Sequence, residues 1–390
     1  METLKPAYQL QIRREDLFTE DGQHKLGNRR KISPTFSGVS VTPLIYVLHC
    51  SGLYGTERMA METLEGFKDQ YTPVILCPPG PLVKEAEARG VRVLTYQSVP
   101  NLIRIYFRLL KEFPSLVLMT TAISHAYSFA PLNLFFRRKT AHLHLVHGGA
   151  VDKLSYGRKK FLNGLNLVQV GVSSFVRKKL LQHGVRDAQI RVVGNFLSQQ
   201  TREGIRKRAP FEGEPLTKGL VISRVIPSKK VDLLFDATER HPDLNRLSFT
   251  IFGKGGMRTR LMERAVANDL NISLPGFAED LNHQMADYDF LVHLCPEEPF
   301  GLVILEAMAA GLPVLVPDQG GSAGIITPGV TGFRFKANDA DCLARELGKL
   351  TRHSAEKLNT VVASAEEALI QQFSCEAQVL EYQKIIAEMV

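Results

Sequence analysis

Residues 295–317 read CPEEPFGLVILEAMAAGLPVLVP, and the changes of character along this stretch decide the fold class. An apolar run, Phe290–Leu294, ends just before it and reads as a strand. The loop then presents Glu297, Glu298 and Pro299. From Phe300-Gly301 a strongly helix-forming segment runs to Gly311, a residue suited to closing a helix at its C-terminus. Val314–Val316 is again β-prone, so strand, helix and strand follow one another as a parallel βαβ unit requires. Gly301 lets the backbone approach a ligand closely, and the start of the helix offers unpaired N–H groups and a positive dipole end. Glu298 precedes the helix and Glu306 lies within it, so one carboxylate meets a ligand from the loop and the other from the helix. Carboxylates suit vicinal hydroxyls, because each oxygen accepts charge-assisted hydrogen bonds.

The same alternation extends in both directions. Upstream in the second half, strands are expected at Gly219–Ser223, Ser248–Phe252 and Asn271–Leu274, with helices at Val231–Glu239, Arg258–Asn268 and Leu281–Ala286. A helix at Asp339–Leu350 comes after them. In the first half, strands at Leu44–Leu48, Pro73–Leu76, Arg92–Thr95, Leu116–Met119, Leu143–Val146 and Leu167–Val172 alternate with helices at Thr56–Phe67, Leu82–Arg89, Leu102–Phe113 and Phe175–His183. Between the halves, Gln199–Lys218 is polar and contains Pro210, Gly213 and Pro215, the composition of a linker. The expected architecture is α/β, with two doubly wound Rossmann-like domains facing each other across a cleft. The boundaries are 1–40, a poorly ordered N-terminal extension; 41–207 and 208–372, the two domains; and 373–390, a terminal helix returning to the first. Ligands of such sheets sit beyond the carboxyl ends of the strands.

Further residues carry candidate chemistry. A strand ending at Ser223 is followed by Arg224 and Lys229, two cations that suit a diphosphate whose charge grows as a leaving group departs; Lys230 competes with Lys229 for that role. Gly253, Gly255 and Gly256 form a turn after a strand. His147 stands at the carboxyl end of a strand and faces the cleft, or serves as a hydrogen-bonded turn residue. No acidic partner lies beside His142, His144 or His147. No metal site is therefore expected.

Glu298-Pro-Phe-Gly-x-x-x-x-Glu306, followed by Ala-x-Ala-x-Gly-x-Pro-Val, resembles the signature of the family 4 retaining glycosyltransferases of the GT-B fold, also called glycosyl transferases group 1. The resemblance runs from about residue 44 to the C-terminus and is more specific in the second half. It implies that Glu306 holds the donor ribose and Glu298 contacts the transferred sugar. It also implies that the backbone after Phe300, at Gly301, Leu302 and Val303, contacts sugar and phosphate. Arg224 and Lys229 match the family's diphosphate pair, although the family glycine after the lysine is Lys230 here. Gly253 matches the family's glycine turn, Phe277 the loop near the nucleobase, and His147 the histidine near the outer hydroxyls of the sugar. Gly55 matches a loop over the donor phosphates, in which Tyr54 replaces the usual first glycine. The implied reaction moves a hexose-like sugar from a nucleoside diphosphate to an acceptor hydroxyl on a glycan, a lipid-linked molecule or a small molecule. Configuration is retained, and neither metal nor cofactor takes part.

Composition bounds the alternatives. The five cysteines are dispersed without Cys-x-x-Cys spacing, which suggests reduced thiols rather than a disulfide framework. No apolar run reaches the ~20 residues of a membrane span, and no signal-peptide pattern opens the chain, so a cytoplasmic protein is expected. The net charge of +8 comes partly in bursts, at residues 137–139, 158–160, 177–179 and 206–208. Such bursts attract anions or simply solvate helix faces. Reversible contact with an anionic membrane is an expected partner interaction, and nucleic acid is not. Two rival readings remain: a sugar-nucleotide epimerase or hydrolase on the same fold, and a catalytically vestigial polyanion-binding protein.

Overall fold

Strand β1 (Pro43–Val47) is buried along its whole length, as befits an apolar PLIYV run with sheet neighbours on both sides. In the computed structural model the described residues are 42–53, 55–136, 139–148, 152–278 and 280–389. The reading of 1–40 and the question of Tyr54 lie outside them. After β1 come α1 (Gly55–Phe67), β2 (Thr72–Cys77), α2 (Pro81–Ala88), β3 (Arg92–Thr95) and α3 (Val99–Glu112). The first half continues with β4 (Ser115–Thr120), α4 (Ile123–Phe135), β5 (Lys139–Val146), α5 (Asp152–Ser155), β6 (Val168–Gly171), α6 (Ser174–Gln182) and β7 (Ile190–Val192). A short helix, α7 (Gln199–Glu203), leads out of it.

The second half opens with β8 (Lys218–Ile222), α8 (Asp232–Arg240), β9 (Ser248–Phe252), α9 (Arg258–Ala267) and β10 (Ile272–Gly276). Then come α10 (Leu281–Gln284), β11 (Phe290–Val292), α11 (Leu302–Ala309), β12 (Val314–Pro317), α12 (Gly320–Ile325) and β13 (Phe333–Phe335). The chain closes with α13 (Ala340–Leu350), α14 (Ala355–Gln372) and α15 (Cys375–Met389).

Among the described residues the strands form two sheets, ordered β3-β2-β1-β4-β5-β6-β7 and β10-β9-β8-β11-β12-β13. Every pairing within the named strands is parallel. Both sheets reverse their winding beside the first strand, between β1 and β4 and between β8 and β11. A crevice opens beyond the carboxyl ends at such a point, because the loops on either side diverge. The fold is therefore the two-domain α/β GT-B arrangement.

Several elements differ from the sequence reading. Three-residue strands β7 and β13 are too short to show a period, and α4 carries Pro131 in its interior. The interval 351–372, to which the sequence pattern assigns no element, is mostly α14, with Ser354 capping it by accepting the Lys357 N–H. The expected linker is not free. Its first residues are α7, capped by Ser198. Beyond them the Arg206 N–H donates to the Asn282 carbonyl, the Arg208 N–H donates to the Ala310 carbonyl, and the Arg208 guanidinium stacks on Phe211 at 3.8 Å. This segment is thus laid against the second half.

Helix α15 packs on the first half. Gln378 accepts the Gly194 N–H at 2.8 Å, and Val379, Tyr382, Ile385 and Ile386 join the apolar cluster beneath β1, β2 and β5. Tyr382 is buried against Phe67, with ring centroids 6.3 Å apart. Tyr382→Ala should cost about 3–5 kcal/mol, the range for removing a buried aromatic. Urea denaturation reads this directly, and a loss below about 1 kcal/mol, the scale of an ordinary surface change, would mean that α15 is not docked there.

Candidate functional site

The loops beyond β8 and β11, at the second sheet's winding reversal, bring together charged side chains from distant parts of the sequence. Lys229 donates to the Glu298 Oε2 at 2.6 Å, and both side chains are largely buried. His293, one residue past β11, places its Nε2 3.6 Å from the same oxygen. That separation is too long for a hydrogen bond, and the buried Nε2 has no partner among the described residues. Burial, and after it the Lys229 charge, hold the His293 imidazole down at about 4 against the opposing pull of Glu298. The ring is therefore neutral at neutral pH. For Glu298, burial alone would raise the pKa. His293, Lys229 and Arg224 outweigh it, leaving the carboxyl below its ordinary range and ionised. Arg224 is exposed, and among the described residues its guanidinium makes no ion pair or hydrogen bond. A cation is thus left available beside a compensated carboxylate.

Close backbone approaches hold these loops. Gly253, with φ +147°, lies so near the Ser223 carbonyl that a Cβ would come within 1.8 Å of its oxygen. Gly321 donates its N–H to the Glu298 carbonyl at 2.6 Å, and a Cβ there would meet the Pro299 oxygen at 1.9 Å. Gly301, at φ +105°, turns the chain into α11, whose first N–H groups, at Leu302 and Val303, have no intrahelical partners. Phe300 points the other way, buried and edge-on to Phe373 at 6.0 Å, so only its backbone borders the site. Lys230 adopts the left-handed region at φ 54°. That backbone explains why a glycine suits this position, and it is Lys229, not Lys230, whose ammonium reaches Glu298.

Glu306 lies one turn into α11 and is 6% exposed. Its carboxylate pairs with Arg58 of α1, in the first half, and that pairing raises the Arg58 pKa. Neither Arg58 nor His293 is distinguished by spacing in the sequence. Phe277 follows Gly276 at the end of β10 and is 64% exposed, with the Lys254 ammonium 5.2 Å from its ring centroid. The flat, exposed ring offers a stacking face. Gly55, the first residue of α1, faces Leu302, which a Cβ would meet at 3.8 Å.

His147 lies just past β5. The neighbouring Gly148 could bear no Cβ, which would lie 2.3 Å from the Pro299 side chain. The His147 Nε2 lies 3.4 Å from the Tyr46 hydroxyl, and burial with His49 nearby holds the ring down at about 4. The loop bearing Glu298 thus rests on the first half, where Ser173 also donates to the Pro299 carbonyl at 2.6 Å. His142 and His144 do not reach this site. Both are buried in the sheet within 3.1 Å of the Thr120 hydroxyl. Among the described residues no group of three or more His, Cys, Asp or Glu side chains converges as metal ligands would.

One of the basic bursts, 206–208, is consumed internally, and a second, 177–179, in part. Arg206 pairs with Asp287, Lys207 with Glu366, Arg208 with Glu214 and Asp289, and Arg177 with Asp187. Lys179 lies 3.4 Å from Glu297.

Comparison with known proteins agrees with the fold and with the second half's motifs. Residues 202–367 match the family described as glycosyl transferases group 1. An uncharacterised glycosyltransferase of Methanocaldococcus jannaschii is 26% identical over 189 residues, 48% of this chain and 52% of that protein. A GDP-mannose-dependent alpha-mannosyltransferase of Mycobacterium tuberculosis is 32% identical over 144 residues, 36% of this chain and 35% of that protein. The chain thus spans about half or less of the length of these curated relatives. Among solved structures, a glycosyltransferase from Rickettsia africae superposes with a TM-score of 0.77 at 20% identity, covering 90% of this chain and 98% of that one. HepE of Anabaena, in complex with UDP-glucose, superposes with a TM-score of 0.72 at 19% identity, covering 88% and 99%.

The Lys229–Glu298 pair yields a stability prediction with a defined sign. Glu298 has a lower pKa folded than unfolded, so its contribution is present above the ordinary glutamate range and is lost as pH falls through the folded value. Lys229→Met should cost about 3 kcal/mol at neutral pH, as breaking a buried pair does. The gap from the parent protein should shrink below about pH 4, where an ordinary glutamate is protonated. Urea midpoints at both pH values test this, and a gap that does not change with pH would contradict it.

Proposed function

We propose that this chain is a retaining, metal-independent glycosyltransferase of the family 4 kind, moving a sugar from a nucleoside-diphosphate donor to an acceptor hydroxyl. The observation that carries the reading is the conjunction at the second winding reversal: unpaired Arg224, the Lys229–Glu298 pair, and the free N–H groups opening α11. Arg224, Lys229 and the helix start receive the diphosphate, and their fixed positive charge favours the transition state in which that group departs. Such cations take the place a divalent ion would otherwise fill. Glu298 orients the transferred sugar, and His147 approaches it from the first half. Glu306 accepts hydrogen bonds from the ribose hydroxyls once Arg58 releases it, and Phe277 stacks on the base. Gly55 and Gly253 let backbone pass close to the donor. In the step itself the bond from the anomeric carbon to the diphosphate oxygen breaks. A bond to the acceptor oxygen forms on the same face, and the acceptor proton passes to the departing diphosphate.

The second half carries this reading more strongly than the first, because the motif and the matched family segment both fall there. The HepE structure, in complex with UDP-glucose, supports a nucleotide-sugar donor of that general class. The acceptor is a hydroxyl of a glycan, a lipid-linked molecule or a small molecule. A thermal-shift panel of UDP-, GDP- and ADP-sugars, with and without EDTA, names the base. Stabilisation should survive EDTA and vanish in Glu306→Ala. Glu298→Gln and Lys229→Ala should each lower turnover at least about 100-fold. NMR of the product should show the donor's anomeric configuration. Sugar released equally fast without acceptor would instead favour a hydrolase.

A cytoplasmic protein touching an anionic membrane is the companion reading. No helix among the described residues is long and apolar enough to cross a membrane. The apolar face of α3 is buried at Leu102, Tyr106, Leu109 and Leu110, so that helix packs in the core. Leu134 and Phe135, adjacent at the end of α4, are 72% and 79% exposed. Phe136 beside them packs edge-on against Phe107 of α3, the helix that also bears exposed Arg104, Arg108 and Lys111. Apolar tips ringed by cations suit an anionic leaflet. Cosedimentation with phosphatidylglycerol vesicles should fall several-fold in Phe135→Ser and should be absent with purely zwitterionic vesicles. Equal sedimentation of the parent and variant would remove this contact.

A further inference from the structure

Lys229 has one ammonium and two acceptors to serve. It donates to the Glu298 Oε2 at 2.6 Å, and the proposed function gives it the diphosphate as well. A diphosphate competes strongly for a neighbouring cation, and a lysine turns easily towards it on a flexible stem. Glu298 bears the consequence. Its side chain is largely buried, and a carboxylate out of water is costly unless donors satisfy it. Few groups stand ready to replace the ammonium. Arg224 has no partner among the described residues, but it is exposed and is itself assigned to the diphosphate. The Cys295 thiol is spent on the Ser228 carbonyl at 3.3 Å. The Gly321 N–H is committed to the backbone carbonyl of Glu298, not to its side chain. His293 remains.

His293 differs from the other buried histidines. His125, His142 and His144 each hold one ring nitrogen within 3.2 Å of a hydroxyl. Neither ring nitrogen of His293 makes a hydrogen bond among the described residues, and its Nε2 is fully buried. The residue is 4% exposed, and its backbone N–H donates to the Leu315 carbonyl of β12 at 2.9 Å, so the base of the ring is fixed. Buried polar groups are normally hydrogen-bonded, and an orphan needs a reason. This one faces the Glu298 Oε2 at 3.6 Å, about half an ångström beyond a hydrogen bond. A small rotation of the carboxylate closes that gap. The position of the proton follows. A bare Nε2 would set a lone pair against an anionic oxygen, so the proton sits on Nε2 and the ring is a donor towards Glu298. Burial keeps the ring in its one-proton form at neutral pH.

We propose that His293 is a positioning residue: when a diphosphate draws Lys229 away, the His293 Nε2–H takes over the Glu298 Oε2 and keeps that carboxylate aimed at the transferred sugar. The sugar's part in this rests on the transferase reading, whereas the exchange of donors rests on the geometry of the three side chains. One ammonium can then bind the leaving group without releasing the carboxylate that orients the sugar.

The test pairs a spectroscopic readout with affinities. In NMR of the full chain carrying isotope-labelled histidine, the His293 signals are those missing from His293→Gln. They should report a ring protonated on Nε2. Sodium pyrophosphate should move that proton downfield as its bond to Glu298 shortens, and the movement should be absent in Glu298→Leu. The second measurement is calorimetric, comparing UDP-glucose, GDP-mannose and ADP-glucose with UDP, GDP and ADP. His293→Leu should keep the affinity for the matching nucleoside diphosphate. It should lose about tenfold for the nucleotide sugar, the worth of a hydrogen bond to a charged group. His293→Gln, whose amide nitrogen falls where Nε2 stands, should recover most of that loss. A histidine that only supports the fold would weaken nucleotide and nucleotide sugar together, and that result overturns the proposal. So do a ring protonated on Nδ1, a signal indifferent to pyrophosphate, or unchanged nucleotide-sugar affinity in His293→Leu. Nucleotide-sugar binding by the parent with a silent His293 sinks this inference alone. A pyrophosphate response without binding of any nucleotide sugar sinks the transferase reading and leaves the exchange of donors standing.

Discussion

A carboxylate removed from water must be compensated where it stands, and the second half is organised around doing so for Glu298. Lys229 comes from the loop after β8, and His293 and Glu298 from the loop after β11. The two loops are sequence-distant but adjacent, because β8 and β11 are neighbours in the sheet. Burial opposes the charge and the neighbouring cation restores it, so the side chain is held ionised and oriented at once. Arg224 is then surplus to this balance. A positive group with no internal partner among the described residues, on the rim of a crevice, is the kind of feature an anionic ligand completes.

The geometry depends equally on what is missing. Gly253 and Gly321 permit backbone contacts that any Cβ would block, and they bring the Ser223–Arg224 loop and the Glu298 loop into register with α11. The Glu298 loop also touches the first half, through Pro299 against Gly148 and Ser173, while Arg58 crosses from α1 to Glu306. Movement of one half against the other would therefore be felt directly at both glutamates.

Net charge is a poor guide to where this protein meets anions. Much of the +8 surplus sits in bursts of sequence, yet the burst at 206–208 is tied into ion pairs with Asp287, Glu366, Glu214 and Asp289. It fastens the interval between the halves to the second of them. Arg224, which has no internal partner among the described residues, stands outside every such burst, so runs of charge do not mark it.

The alternation of apolar runs with helical stretches already implied two doubly wound sheets, since side-chain periodicity and local propensity are properties of neighbouring residues. The strand–loop–helix around Glu298 and Glu306, and the cation pair near Ser223, were legible for the same reason: each is contained in a short stretch. Short strands such as β13 were not, because three residues carry no period. The partners of the glutamates were hidden as well. Arg58 lies 248 positions from Glu306, and His293 is an unremarkable strand-end histidine until β11 is placed beside β8. Lys159 looked like one more member of a basic burst. Only the tertiary fold, by burying it, made it different from the exposed Arg158 and Lys160, because burial is set by the packing of distant segments and leaves no local trace.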